Sequence, residues 1–235
     1  MNLKIQDCTF DSELFGYSVG SVFFETINEK KLRQIAKIVQ SKKYRLLYLT
    51  SLKPVDLLMD ESRFFLVDEK TTFEKKVDLR DKRASNLLIE NAQKYTKDLY
   101  ELALESGLYS RFKIDPNFKD KEFEKMYKCW LTNSLNGHIA EKVFITKNQQ
   151  GQENGLLTLA KKERKSVIGL VAVKEKKKGI GRQLIQAAIQ QTQVWGLDKI
   201  EVTTQGQNKA ACRFYEACGF QKKQVSYVYH WWGMR

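Results

Sequence analysis

Two prolines, two histidines and four cysteines are spread through 235 residues, and each scarcity excludes a class of protein. With only 13 glycines as well, the chain is too poor in Pro and Gly to be collagenous, linker-rich or of low complexity. Cys8, Cys129, Cys212 and Cys218 stand far apart with no C-x-x-C pair, and only His138 and His230 could join them, so no metal is expected. The cysteines read as reduced, mostly buried small side chains, with no disulfide framework and no nucleophile among them. No apolar run approaches the roughly 18 residues that a spanning helix needs, and Lys4 and Asp7 fall where a signal peptide would carry its apolar stretch. The expectation is a cytoplasmic protein that does not enter a membrane.

What is present suffices for a large core: 42% of residues are hydrophobic and 11% aromatic. Hydrophobic period divides the chain into an N-terminal α/β domain, residues 1–95, and a second domain, residues 96–235. In the first, Val19–Phe24 and Arg45–Thr50 read as strands, Lys30–Val39 as a helix and Arg63–Leu79 as one or two further strands. In the second, Leu99–Leu108 and Phe118–Leu131 have helical spacing on either side of Pro116. Ala140–Thr146, Gly155–Ala160 and Val167–Val173 then read as an antiparallel meander. Gly179–Trp195 is an amphipathic helix, Ile200–Thr204 a strand, Lys209–Cys218 a helix and Gln224–Trp231 a last strand. The fold class is therefore α/β (α+β), with a mixed, mostly antiparallel sheet flanked by helices.

Forty-one basic against 28 acidic side chains give a net charge of +13, which calls for an anionic partner. The excess is focused. Residues 1–95 hold 17 basic and 14 acidic residues, whereas 96–235 hold 24 and 14, and Lys161–Arg182 alone holds nine basic residues against Glu163 and Glu175. No basic stripe with interleaved aromatics extends beyond this stretch, so nucleic acid is not the expected partner.

The same stretch carries the most informative motif, VIGLVAVKEKKKGIGRQL: a buried strand, a basic loop, then Gly179 and Gly181 opening a helix. Glycine lets a ligand approach the backbone, and the first-turn N–H groups of a helix have no internal partner, so they and the positive end of the dipole form a phosphate cradle. Lys176, Lys177, Lys178 and Arg182 add cations. A strand follows, and then Asn208-x-x-Ala211-x-x-x-Tyr215-x-x-x-Gly219-Phe220, whose spacing puts Asn208, Ala211 and Tyr215 on one helix face.

On these residues, the chain from about Asp98 onward resembles the GNAT superfamily of acyl-CoA-dependent N-acetyltransferases. Lys176 to Gly181 is similar to that family's Gln/Arg-x-x-Gly-x-Gly/Ala pyrophosphate signature, with a lysine at the first position. A narrower resemblance, to the dTDP-fucosamine acetyltransferase branch, rests on Phe15-Gly16, Ser110-Arg111-Phe112, Trp130 with Asn133, and Thr204-Gln205 through Asn208, Ala211, Tyr215 and Tyr229. It implies a GNAT fold preceded by a small N-terminal domain that borders the acceptor site, acetyl-CoA as co-substrate, and the amine of a dTDP-4-amino-4,6-dideoxyhexose as acceptor. It further implies main-chain contacts to the cofactor from Leu170, Val171, Ala172 and Val173, diphosphate contacts from Lys176, Lys178, Gly179, Ile180, Gly181 and Arg182, and a cofactor contact from Asn208. A homodimer is possible.

Acetyl transfer to an amine needs a neutral nucleophile, a polarised carbonyl and a proton for the departing thiolate. Tyr215, protonated at neutral pH, is the candidate acid; the alternative is a core tyrosine whose hydroxyl meets a backbone carbonyl. Arg111, between Tyr109 and Phe112, either forks onto a nucleotide diphosphate while the two rings flank a base or sugar, or caps the preceding helix and packs its end. No carboxylate is singled out as base, and Asp11, Glu69, Glu74 and Asp78 are candidates only by their place in the N-terminal stretch. Trp231 and Trp232 read as packing or subunit-contact residues, and His230 as a satisfied polar residue. An acetyltransferase acting on a protein or peptide amine, or on another small-molecule amine, remains the alternative function.

Overall fold

The computed structural model describes residues 5–26, 31, 34–35, 43–55, 64–80 and 89–233. Of the expected helix Lys30–Val39, residues 31, 34 and 35 are helical and the others lie outside the described residues.

The described strands form one sheet. In chain order they are β1 (Gln6–Asp7), β2 (Val19–Phe24), β3 (Leu46–Ser51), β4 (Phe65–Lys76), β5 (Glu90–Asn91), β6 (Lys142–Lys147), β7 (Glu153–Lys162), β8 (Lys165–Val173), β9 (Lys199–Gln205) and β10 (Gln221–Trp232). Across the sheet the order is β1-β2-β3-β10-β4-β9-β8-β7-β6-β5. Only β2–β3 and β8–β9 run parallel. The stretch Arg63–Leu79 contributes a single long strand, and it lies between two strands of the later stretch: β4 pairs with β10 on one edge and with β9 on the other. One sheet thus runs through the expected boundary at residue 95.

One face carries α1 (Thr9–Phe15), α2 (Lys97–Ser106), α3 (Arg111–Ile114) and α4 (Glu122–Leu135). Leu99, Leu102, Met126 and Leu131 bury against Tyr48, Leu156, Leu170 and Ala172. The second expected helix begins at Glu122, not Phe118, and a short α3 precedes it. Phe118 instead packs its ring against Phe15, Phe112 and Trp232, which ties this turn to the sheet. The other face carries α5 (Ile180–Val194) and α6 (Lys209–Ala217). There Leu184, Ile185 and Ala188 cover Phe73, Leu157, Leu159, Ile168 and Val202. Thr192 completes the α5 stripe because its hydroxyl is satisfied twice, by Ser166 Oγ at 2.9 Å and Ala188 O at 2.7 Å.

Burial stops short of what was expected for the cysteines. All four are free and only half-buried. No helix among the described residues is long and apolar enough to cross a membrane.

Candidate active site

The site starts from a fault in β8. Leu157 faces Val171 and Leu159 faces Ile168, so Gly169 and Leu170 together oppose Thr158. That extra residue is a β-bulge, and it exchanges the faces of the strand: Ile168 packs under α5, whereas Leu170 and Ala172 pack under α2 and α4. Thr158 fills the gap with its hydroxyl, which accepts the Leu170 N–H at 2.9 Å. A β-carbon at position 169 would sit 2.6 Å from that oxygen, so glycine is required there.

At the same point β8 parts from β9. The two strands pair only at Ser166–Ile200, Val167–Glu201 and Ile168–Val202. Beyond Ile168 the outer edge of β8 pairs with no strand among the described residues. Alternation then divides the four residues expected to offer main-chain contacts. Lys174 N–H donates to Asn154 O at 2.8 Å, which makes Ala172–Leu156 the next hydrogen-bonded pair and turns the backbone groups of Val171 and Val173 to the open edge. Ala172 spends its groups on β7, and the Leu170 N–H is held by Thr158.

The basic loop follows without interruption. Lys177 and Gly179 both take left-handed backbone, at φ 64° and 81°, and lead the chain into α5. Gly179 is the N-cap and has no side chain to satisfy the first turn, and that turn contains no acidic residue. The N–H groups of Ile180, Gly181 and Arg182 are therefore uncapped donors at a positive helix end. Gly181 is backed by the Phe214 ring, 3.1 Å from where a β-carbon would stand. Lys176 lies on the loop exterior and reaches Glu105 of α2 at 3.3 Å.

A cleft of about 480 Å³ opens from the parted strands. Leu170, Val171, Asn208, Tyr215 and Arg111 all line it, whereas Ala172, Val173 and residues 176–182 do not. Asn208 caps α6, its side-chain oxygen accepting Ala211 N–H at 3.0 Å, which leaves the amide NH₂ as its donor. Tyr215 is clamped by Phe73, Phe214 and Phe220, with centroids 5.4–5.9 Å away. Its hydroxyl makes no hydrogen bond to a described residue, so the backbone carbonyl partner of a core tyrosine is absent. Burial, reinforced by Cys218 and Cys212, raises its pKa well above that of a free phenol.

The far end of the cleft is polar. Arg111 lies over the rings of Tyr48 and Phe112, each 4.6 Å from its guanidinium carbon. Tyr48 comes from β3; Tyr109, named with Phe112 as a ring for a base or sugar, is exposed and does not line the cleft. Ser110 occupies the N-cap position of α3 without capping it, and its buried hydroxyl, near that of Tyr127, makes no well-formed hydrogen bond to a described residue. Behind Tyr48 sits His230, fully buried, with Nδ1 2.6 Å from Asp115 Oδ2; Trp232 Nε1–H donates to the same oxygen at 2.8 Å. Burial pushes His230 down to about 4 despite Asp115. It is neutral and packed, but the expectation of a satisfied polar residue is met at Nδ1 only, because Nε2 has no hydrogen-bond partner among the described residues.

None of the expected carboxylates stands out here. Asp11 accepts from the Tyr48 hydroxyl at 2.8 Å, Glu74 pairs with Lys223 at 2.5 Å, and Asp78 faces Arg80 at 3.3 Å on the surface. The carboxylate lining the cleft is Asp68, which sequence reasoning missed. It is 6% exposed, and its Oδ1 finds no partner among the described residues. Burial raises its pKa to about 6, against the pull of Arg111 and Lys70. The available signal was the acidic pair Asp68-Glu69 within the β-forming run FFLVDEK, which an exposed strand edge would explain equally well.

Known proteins resemble this architecture. The model of the acetyltransferase (GNAT) family matches residues 94–220. The spore coat polysaccharide biosynthesis protein SpsD of Bacillus subtilis is 31% identical over 139 residues, 58% of this chain and 47% of its own. The chain thus spans about half the length of that relative. Among solved structures, a functionally unknown conserved protein from Staphylococcus epidermidis superposes with a TM-score of 0.64 at 10% identity, covering 95% of this chain and 89% of its own. A tandem GNAT protein from the clavulanic acid biosynthesis pathway gives 0.55 at 10% identity, with 92% and 76% covered. The family match extends over more than half of the sequence and includes the parted strands, the uncapped α5 and the α6 tyrosine, so the chain belongs to the GNAT acetyltransferase family.

Proposed function

We propose that this acetyltransferase draws its acyl group from acetyl-CoA and delivers it to the amine of a nucleotide-linked amino sugar of the dTDP-4-amino-4,6-dideoxyhexose type. The observation that carries the first half is the unpartnered edge of β8 beyond Ile168. It lies next to a helix N-terminus without a cap, and a free tyrosine hydroxyl faces the same cleft. The residues fit the coenzyme. Ile180, Gly181 and Arg182 offer three main-chain donors to a diphosphate, with Lys178 and Arg182 adding charge. Gly179, in left-handed backbone, has nothing within 4 Å of its missing β-carbon, so a phosphate has room to approach.

Acetyl-CoA supplies an activated thioester; the chain positions it and moves protons. Val171 and Val173 offer backbone N–H and C=O groups along the open edge for the pantetheine amides and the acyl oxygen, a role independent of their side chains. Tyr215 remains a neutral phenol at physiological pH and gives its proton to the sulfur. Asn208 contributes its NH₂ group.

The second half rests on the basic end of the cleft. Arg111 and Lys70 suit an acceptor that carries phosphate, and Phe112, Tyr127 and Trp130 give the same region apolar walls. A relative named for polysaccharide biosynthesis supports a sugar. We assign residues 1–95 to this acceptor side because Asp68 and Lys70 come from β4. The experiment is a turnover screen with acetyl-CoA against dTDP-amino sugars, N-terminal peptides and aminoglycosides. The reading expects kcat/KM at least 100-fold higher for the nucleotide sugars; a peptide or aminoglycoside as the best acceptor overturns it.

A further inference from the structure

Four buried side-chain polar atoms lack a partner among the described residues: Asp68 Oδ1, Ser110 Oγ, Arg111 Nε and His230 Nε2. They are not scattered. Asp68, Ser110 and Arg111 line the same end of the cleft, and His230 lies just behind, its ring 5.0 Å from the Tyr48 ring on which Arg111 rests. An unmade hydrogen bond on a buried polar atom costs about 1–3 kcal/mol, more for a charged one, so three of them converging on one cavity mark a place prepared for a polar ligand.

The backbone explains how Asp68 reaches that place. Consecutive residues Val228 and Tyr229 of β10 face Asp68 and Leu66, which leaves Val67 as an extra residue in β4. This bulge turns Val67 and Asp68 both inward, at 2% and 6% exposure, where regular alternation would expose one of them. β4 pairs with β10 at Asp68 itself, and from Lys70 onward it is held by β9 as well, so the backbone that carries the carboxylate is anchored on both sides of the bulge.

We propose that Asp68 is a catalytic residue: its free Oδ1 receives a proton from the acceptor amine, while the Arg111 Nε–H and the Ser110 hydroxyl hold an oxygen-rich anionic group of the same acceptor. The proposal rests on the amine-acetylating function given above. Asp68 takes one proton from the entering ammonium, freeing the lone pair that forms the C–N bond as the thioester C–S bond breaks. Tyr215 protonates the departing sulfur and recovers the second proton shed by nitrogen, and Asp68 later releases its proton to water. The charged and titratable groups around Asp68 are Arg111 of α3, Lys70 and Glu69 of β4, and Tyr127 of α4. Burial raises the carboxyl while the two cations hold it largely ionised above neutrality, in range to exchange a proton with an amine.

The test compares wild type with Asp68→Asn and Asp68→Glu, using acetyl-CoA and dTDP-4-amino-4,6-dideoxygalactose across pH 5.5–9. Expected are a fall in kcat/KM of roughly 10²–10⁴-fold for Asp68→Asn, loss of the acidic limb of its pH profile, partial rescue by Asp68→Glu, and an acetyl-CoA dissociation constant within twofold of wild type in both. An Asp68→Asn enzyme within threefold of wild type and with the same acidic limb overturns the assignment. Should wild type bind acetyl-CoA yet acetylate no amine, the function falls on its own account. Asp68 is then judged by a carboxyl ¹³C titration differenced against Asp68→Asn: a midpoint near 6 supports it as a proton acceptor, and one below about 4.5 overturns it.

Discussion

Tyr215 and Asp68 are both buried ionisable residues whose neutral forms burial favours, and the consequences differ with their chemistry. A phenol held neutral is a standing proton donor. Tyr215→Phe keeps the ring between Phe73 and Phe220 and removes only the hydroxyl, so it should lower kcat by roughly 10²–10⁴-fold with acetyl-CoA affinity unchanged. Stopped-flow turnover beside calorimetric binding checks this, and an unchanged kcat removes Tyr215 from the chemistry. A carboxyl raised to about 6 burdens the fold instead. Its folded pKa exceeds the unfolded value of 3.8, so Asp68 favours the folded state in acid and loses that contribution as pH rises through 6. His230, depressed to about 4, acts oppositely: its contribution is complete above about 6.5 and disappears as pH falls toward 4. The two windows overlap and offset each other in wild type. Asp68→Asn should therefore raise stability at pH 7.5 by roughly 1–3 kcal/mol and leave the acid-side loss from His230 uncompensated. Urea midpoints at pH 7.5 and 5 decide the matter; an Asn variant less stable than wild type at pH 7.5 contradicts it.

At the scale of elements, legibility follows how local the signal is. The basic Gly loop and α5 were readable because glycine, charge and helical period all act within a few residues. Gly179 should therefore tolerate substitution poorly: at φ 81° any side chain costs roughly 1–2 kcal/mol of backbone strain and occupies the space assigned to phosphate. Gly179→Val is expected to weaken acetyl-CoA by more than tenfold in calorimetry, and wild-type affinity would place the diphosphate elsewhere. The bulges at Gly169 and Val67 were not legible, since a bulge is a property of two paired strands and each strand alone looks regular. Asp68 was missed for that reason: alternation assigns one face to Val67 and the other to Asp68, and only the bulge brings both inward. Ser110 read as part of the turn between two helices, and the short α3 that it opens was not legible. The ring under Arg111 comes from β3, more than 60 residues away in sequence, and nothing near Arg111 announces it.

At the scale of the whole molecule, the position of β4 governs behaviour. Phe73 is fully buried beneath α5 and α6, and β4 bridges β9, one wall of the cleft, and β10 on the other side. A fragment comprising residues 96–235 would expose both strand edges and an unfilled core, so it should lack a cooperative thermal transition; a sharp transition with native-like circular dichroism would show that the later stretch folds alone. The intact chain, by contrast, joins the edge of β8 proposed for the coenzyme to the end of the cleft at Asp68 proposed for the acceptor through one continuous sheet. The most direct measurement is a crystal structure of the full chain with acetyl-CoA. The account requires the diphosphate within hydrogen-bond distance of the N–H groups of Ile180, Gly181 and Arg182, the pantetheine along Val171 and Val173, and the thioester sulfur beside the Tyr215 hydroxyl. Phosphates resting on another surface, or a sulfur remote from Tyr215, would contradict it.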